Sequence, residues 1–131
     1  MYEVTDDHFQ QLVASAIDNI PKKYLDHMQN VAFIVEDWPS PEQRERLHLQ
    51  PHQTLFGLYE GVPLPQRGGN SNLLLPDKIT LFKRPMELSS GSLAELKSRI
   101  GRTIWHEVAH YYGLDHVRIY DLEQKEPPKS N

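Results

Sequence analysis

The eleven residues from His106 to His116 read His-Glu-Val-Ala-His-Tyr-Tyr-Gly-Leu-Asp-His, and they constrain this chain more than any other segment. Four residues advance an α-helix by about 400°, so His106 and His110 share one helical face, one turn apart. Their imidazoles can then reach a single metal ion at the usual Zn–N distance of about 2.0–2.1 Å. Glu107 is rotated from His106 by about 100°. Its carboxylate therefore sits beside such an ion rather than on it, where it can take a proton from water. On a continuing helix His116 would lie roughly 15 Å further along the axis than His106. The chain must stop being helical and turn back, and Gly113 can supply the turn because glycine takes positive φ without a Cβ penalty. The predicted metal ligands are thus His106, His110 and His116, with Glu107 as the predicted general base. Three protein ligands leave one tetrahedral position open, which distinguishes a catalytic zinc site from a structural one.

The segment ends a long predicted helix. Ser92-Leu93-Ala94-Glu95 has the form of a capping box. From there to Tyr112 the residues Leu93, Leu96, Ile100, Ile104 and Val108 recur at helical spacing, with Gly101 inside at a cost of about 1 kcal/mol relative to Ala. Gly113 is placed as a C-terminal cap. A second amphipathic helix is predicted over residues 5–20. Thr5 caps it, Asp6 and Asp7 occupy the first turn, and Phe9, Leu12, Val13, Ala16, Ile17 and Ile20 form its apolar stripe. Val31–Val35 reads as a buried strand, Thr54–Tyr59 as a second, and Leu73–Leu75 and Lys78–Phe82 as one or two more. The Pro-rich stretch from Glu36 to Pro51 reads as a loop with one helical turn around Glu42–Leu47. His48 and His52 are four apart, but Pro51 between them disfavours the helix that would align them, and both are read as surface residues. His8 is read as an exposed helix residue.

Composition narrows the rest. The chain has 131 residues, the size of one domain, and no cysteine, so any metal must be held by His, Asp or Glu. Residues 1–122 are expected to form the domain and the polar segment 123–131 a frayed tail. The absence of cysteine fits a reducing cytoplasm. The first residues lack the pattern of a signal peptide, and no apolar run approaches the roughly 18 residues that span a bilayer. The formal net charge of -4 offers no basic stripe for nucleic acid. Asp115 and Asp121 are candidates to orient the ligand histidines. Tyr111 and Tyr112 are read as packing residues first, with oxyanion stabilisation as the alternative. Arg99, Arg102 and Arg118 are read as solvated by default, or as binders of a substrate carboxylate or an acidic partner.

The motif H-E-x-x-H-x-x-G-x-x-H is that of the zincin metallopeptidases. Asn30–Glu36, Gly57–Leu64, Pro76–Phe82 and the His106 helix resemble, in that order, the small bacterial zincin-like metallopeptidase family, across roughly residues 5–122. The resemblance implies a single-domain α+β fold, in which a small mixed sheet packs on an N-terminal helix and a long active-site helix. It also implies that the strand around Leu55–Tyr59 is the edge that pairs with an extended peptide. Many members of that family have Asp at the position of His116, and either residue can bind zinc. The chain has no methionine after Met86, so it lacks the Met-turn of the metzincins. The expected function is zinc-dependent hydrolysis of a peptide or protein substrate. Two alternatives remain. One is an RNA hydrolase, because Gly113-Leu114-Asp115-His116 resembles the site of bacterial ribosomal-RNA-maturation metalloproteins; Glu107, where those proteins have glycine, and the acidic charge stand against it. The other is a non-catalytic module in which the metal holds the C-terminal helix or a partner.

Overall fold

The computed structural model describes residues 1–28, 30–61 and 77–113. Helix α1, Asp6–Asp18, starts where Thr5 is extended and its hydroxyl accepts from the His8 amide at 3.1 Å. That bond satisfies one of the amides a helix start leaves without an intrahelical partner. Phe9, Leu12, Val13 and Ala16 are buried along one face. A single turn, α2 (Lys22–Leu25), follows Pro21. Strand β1 is Val31–Glu36, α3 is Pro41–Arg46, β2 is Gly57–Glu60 and β3 is Asp77–Phe82. The chain then passes through α4, Lys83–Leu88, into α5, Leu93–Tyr111.

The three strands form a mixed sheet in the order β1-β3-β2. β1 runs parallel to β3, with Val31 opposite Asp77 and Glu36 opposite Phe82; β2 runs antiparallel to β3, with Gly57 opposite Leu81. The central strand is buried on both faces, as its run of Ile79, Thr80, Leu81 and Phe82 requires. α5 packs against α1 on one side and against β2 and β3 on the other. Its predicted stripe forms the spine of the core: Leu96, Ile100, Ile104 and Val108 are fully buried beside Phe9, Val13, Ile79 and Leu81. This is the α+β fold expected, with the sheet and α1 holding the two sides of the long helix.

The differences from expectation are local. The helical turn expected around Glu42–Leu47 is present as α3 and starts one residue earlier, because Ser40 and Gln43 make a complete capping box and Pro41 occupies the first turn, where its missing N–H costs nothing. The second strand begins at Gly57 rather than Thr54. At α5 only half of the expected capping box forms: Ser92 Oγ accepts from the Glu95 amide at 3.1 Å, but the Glu95 carboxylate turns to the Gly91 amide at 2.9 Å. α4 was not anticipated, since Pro85 and the brevity of the segment hide any helical period. His48 and His52 are exposed, and His8 is partly buried on α1. The expected strand at Leu73–Leu75 and the tail from residue 123 lie outside the described residues. Among the described residues no helix is long and apolar enough to cross a membrane.

Candidate metal centre

The last two turns of α5 carry the site. His106 and His110 lie one turn apart, their ring centroids separated by 4.8 Å at an angle of 72°. Ligand-capable atoms of His106, Glu107 and His110 all lie within 4.8 Å of one another. Both histidines are half-buried, whereas Glu107 is 8% exposed. Two imidazoles and a carboxylate with no thiolate suit a borderline transition ion such as zinc. The residues present therefore fit the metal that the motif implies. α5 ends as the glycine argument requires: Gly113 has φ 75°, and its amide donates to the His110 carbonyl at 2.9 Å. His116, together with Asp115, Arg118 and Asp121, lies outside the described residues.

Glu107 is held from across the fold. Its carboxylate accepts from the Tyr59 amide of β2 at 2.9 Å. Burial pushes its pKa up to about 7, against the opposing pull of that N–H. Two features the sequence reading did not single out make this contact possible. One is Tyr59, whose backbone supplies the donor. The other is Gly57, which sits against α5: a Cβ there would stand 2.6 Å from Thr103 Cγ2 and 3.4 Å from Glu107 Cγ. Glycine in a strand often marks such a close approach, and that was the available signal. Among the described residues β2 pairs with β3 alone.

The tyrosines act as packing groups. Tyr111 is 1% exposed, and its ring meets those of Tyr59 and Tyr112 edge-on at 6.1 and 5.1 Å. The Tyr112 hydroxyl donates to the Tyr24 carbonyl. Burial first, then Tyr111 and Tyr24, push its pKa up to about 12, so it stays protonated at neutral pH. Beside the site a cavity of about 530 Å³ opens, with His106, Glu107 and Gly57 at one end. It runs back along α5 past Thr103 to Arg99 and Arg102.

A histidine pair and a glutamate on one helix, placed under the edge strand of a small mixed sheet, define a zincin scaffold. The chain belongs to the zincin-like metallopeptidase family, whose model matches residues 28–126. Its fold is similar to the solved structure of a conserved hypothetical protein from Thermus thermophilus, with a TM-score of 0.54 and 20% identity over 92% of this chain and 99% of that one. No curated protein matches the sequence.

Proposed function

We propose that the protein is a zinc-dependent peptidase. The observation that carries this reading is the position of the Glu107 carboxylate: buried, beside two histidines on one helical face, and hydrogen-bonded to the backbone of the sheet's edge strand. His106 and His110 would hold the metal, with His116 as the third ligand. When bound, zinc supplies Lewis acidity, which makes water a better nucleophile and polarises a carbonyl. Glu107 acts as the base: one carboxylate oxygen takes the proton of the attacking water and later delivers it to the departing amine nitrogen. Its burial raises its proton affinity toward neutrality, which suits a group that must both accept and release a proton. The Tyr59 N–H fixes the carboxylate's direction. An extended substrate would lie along β2, gaining main-chain hydrogen bonds in the manner of an added strand.

The test is a peptide-library cleavage assay on zinc-loaded protein with the Glu107→Gln variant as its control. Cleavage by the wild type, lost in a variant that still carries about one equivalent of zinc, is the expected result. Full activity in Glu107→Gln would refute the mechanism.

A further inference from the structure

The cavity beside the metal centre has a polar far end that the proposed hydrolysis does not use. Arg99 is fixed there. Its Nε donates to Ser90 Oγ at 3.2 Å, its Nη2 donates to the Ser89 carbonyl at 2.9 Å, and its guanidinium lies 4.8 Å from the centre of the Phe56 ring. These contacts leave Nη1 with no hydrogen bond among the described residues. Arg102, three residues further along α5, is exposed and makes no hydrogen bond or ion pair among the described residues. Both arginines line the cavity that opens at His106 and Glu107.

Two arginines on one cavity wall stand out in a chain of net charge -4. Two carboxylates share that wall, but each is engaged: Glu95 by the Gly91 amide and Glu107 by the Tyr59 amide. Arg102 is left on that wall as a charged group with no hydrogen bond or ion pair among the described residues. Guanidinium matches a carboxylate in a planar, two-pronged hydrogen bond. A singly charged, planar group also suits the place better than a phosphate, whose second charge would meet Glu95 and Glu107.

We propose that this cavity is a substrate subsite for a carboxylate, with Arg102 as the residue that selects it and Arg99 as a fixed wall behind it. The substrate class is then a peptide carrying an acidic side chain near the scissile bond, or a free chain end in the same position. This inference rests on the peptidase reading for the nature of the ligand.

The test measures binding, so that it does not depend on turnover. Zinc-loaded full-length Glu107→Gln protein is titrated at low ionic strength with fluorescein-labelled hexapeptides in matched pairs. One set of pairs differs only by Glu against Gln at a single scanned position; another differs by a C-terminal acid against its amide. The expected result is a preference of about tenfold for the carboxylate member at one position, as a charge-assisted contact provides. The set in which it appears tells a side chain from a chain end. Adding Arg102→Gln should bring the ratio within about twofold, and Arg102→Glu should reverse the preference to the uncharged member of the pair. Such a reversal cannot come from misfolding. Absence of discrimination in every pair, or discrimination that survives both Arg102 substitutions, overturns the proposal. Discrimination with no cleavage of any peptide by the wild type refutes the peptidase reading and leaves the subsite standing. Cleavage without discrimination does the reverse.

Discussion

Glu87 and Glu107 are both buried carboxylates, and their surroundings differ. Glu87, on α4, is fully buried and surrounded by donors. The Val4 amide donates to it at 2.8 Å, Arg84 Nη1 at 3.2 Å, and Lys83 Nζ stands 3.8 Å away; the Glu87 carbonyl also accepts from the Tyr2 amide at 3.1 Å. Glu107, on α5, is almost as deep, but among the described residues it has one hydrogen-bond donor, a backbone N–H, and no paired cation. The first arrangement surrounds the carboxylate with partners and uses it to tie the N-terminal segment to α4. The second leaves the charge under-compensated, which is why burial pushes the Glu107 pKa up to about 7. Burial alone therefore does not identify a reactive carboxylate; the supply of donors and cations does.

The sharpest way to break this contrast is to neutralise each group. Glu107→Gln removes the proposed base but keeps the shape and the Tyr59 contact. Turnover in the library assay should fall on the order of 10²–10⁴-fold, with zinc content and melting temperature close to wild type. Glu87→Gln should do the opposite. It strips a charge from a buried network and leaves Lys83, only 5% exposed at its side chain, with Asp6 alone. Breaking a buried pair of this kind costs about 3–5 kcal/mol, read as a lower urea midpoint, while the folded fraction keeps its activity. If Glu87→Gln is neutral in stability, or if Glu107→Gln unfolds the chain, the two carboxylates do not have the roles assigned here.

The sequence exposed these two groups unequally, for a physical reason. Glu107 was legible because its partners are local: His106 and His110 follow from the pitch of one helix, and Ser92, the apolar stripe and Gly113 mark where that helix starts and ends. Glu87 was invisible, since its burial depends on Val4 and Tyr2, more than eighty positions earlier. The same holds within the site. The Tyr59 amide that holds Glu107 is 48 residues away in sequence, and only the packing of β2 on α5 brings them together. For Arg99 and Arg102 the sequence left solvated surface as the default and carboxylate binding as the alternative; only the fold places both on one cavity. The long helices followed from periodicity and the fold class from the family resemblance, whereas the order and mixed pairing of β1, β3 and β2 are recorded by no local pattern.

A gentler substitution sharpens the comparison by moving Glu107 without changing it. In Gly57→Ala the new methyl would press on Thr103, which is stiff because it is β-branched and because its hydroxyl bonds to the Arg99 carbonyl at 2.7 Å. α5 must retreat from β2. Over-packing of this size costs about 1–3 kcal/mol, and misplacing a catalytic group by about 1 Å can cost about 10²-fold in rate. The measurement pairs kcat with a urea melt. A loss in rate larger than the loss in folded fraction is expected; unchanged kcat would show that the β2–α5 approach does not position Glu107.

The smallest effect expected lies at the rim of the Glu87 network. Asp6 is exposed, yet its carboxylate accepts from buried Lys83 at 2.8 Å. The hydrogen bond to Lys83 and then its charge hold the Asp6 pKa below the ordinary value of 3.8. A lowered folded-state pKa means that the contact stabilises the protein above the unfolded value and that this contribution disappears as pH falls through the folded value. The difference in urea midpoint between wild type and Asp6→Asn should therefore be constant near neutrality and shrink only below about pH 4. It should also weaken with salt, because the carboxylate faces solvent. Lys83 keeps Glu87 as a partner in the variant, so the loss should be far smaller than that of Glu87→Gln. A difference as large as that of Glu87→Gln would mean that the surface carboxylate, rather than the buried one, neutralises Lys83, and the contrast drawn between α4 and α5 would have to be redrawn around Asp6.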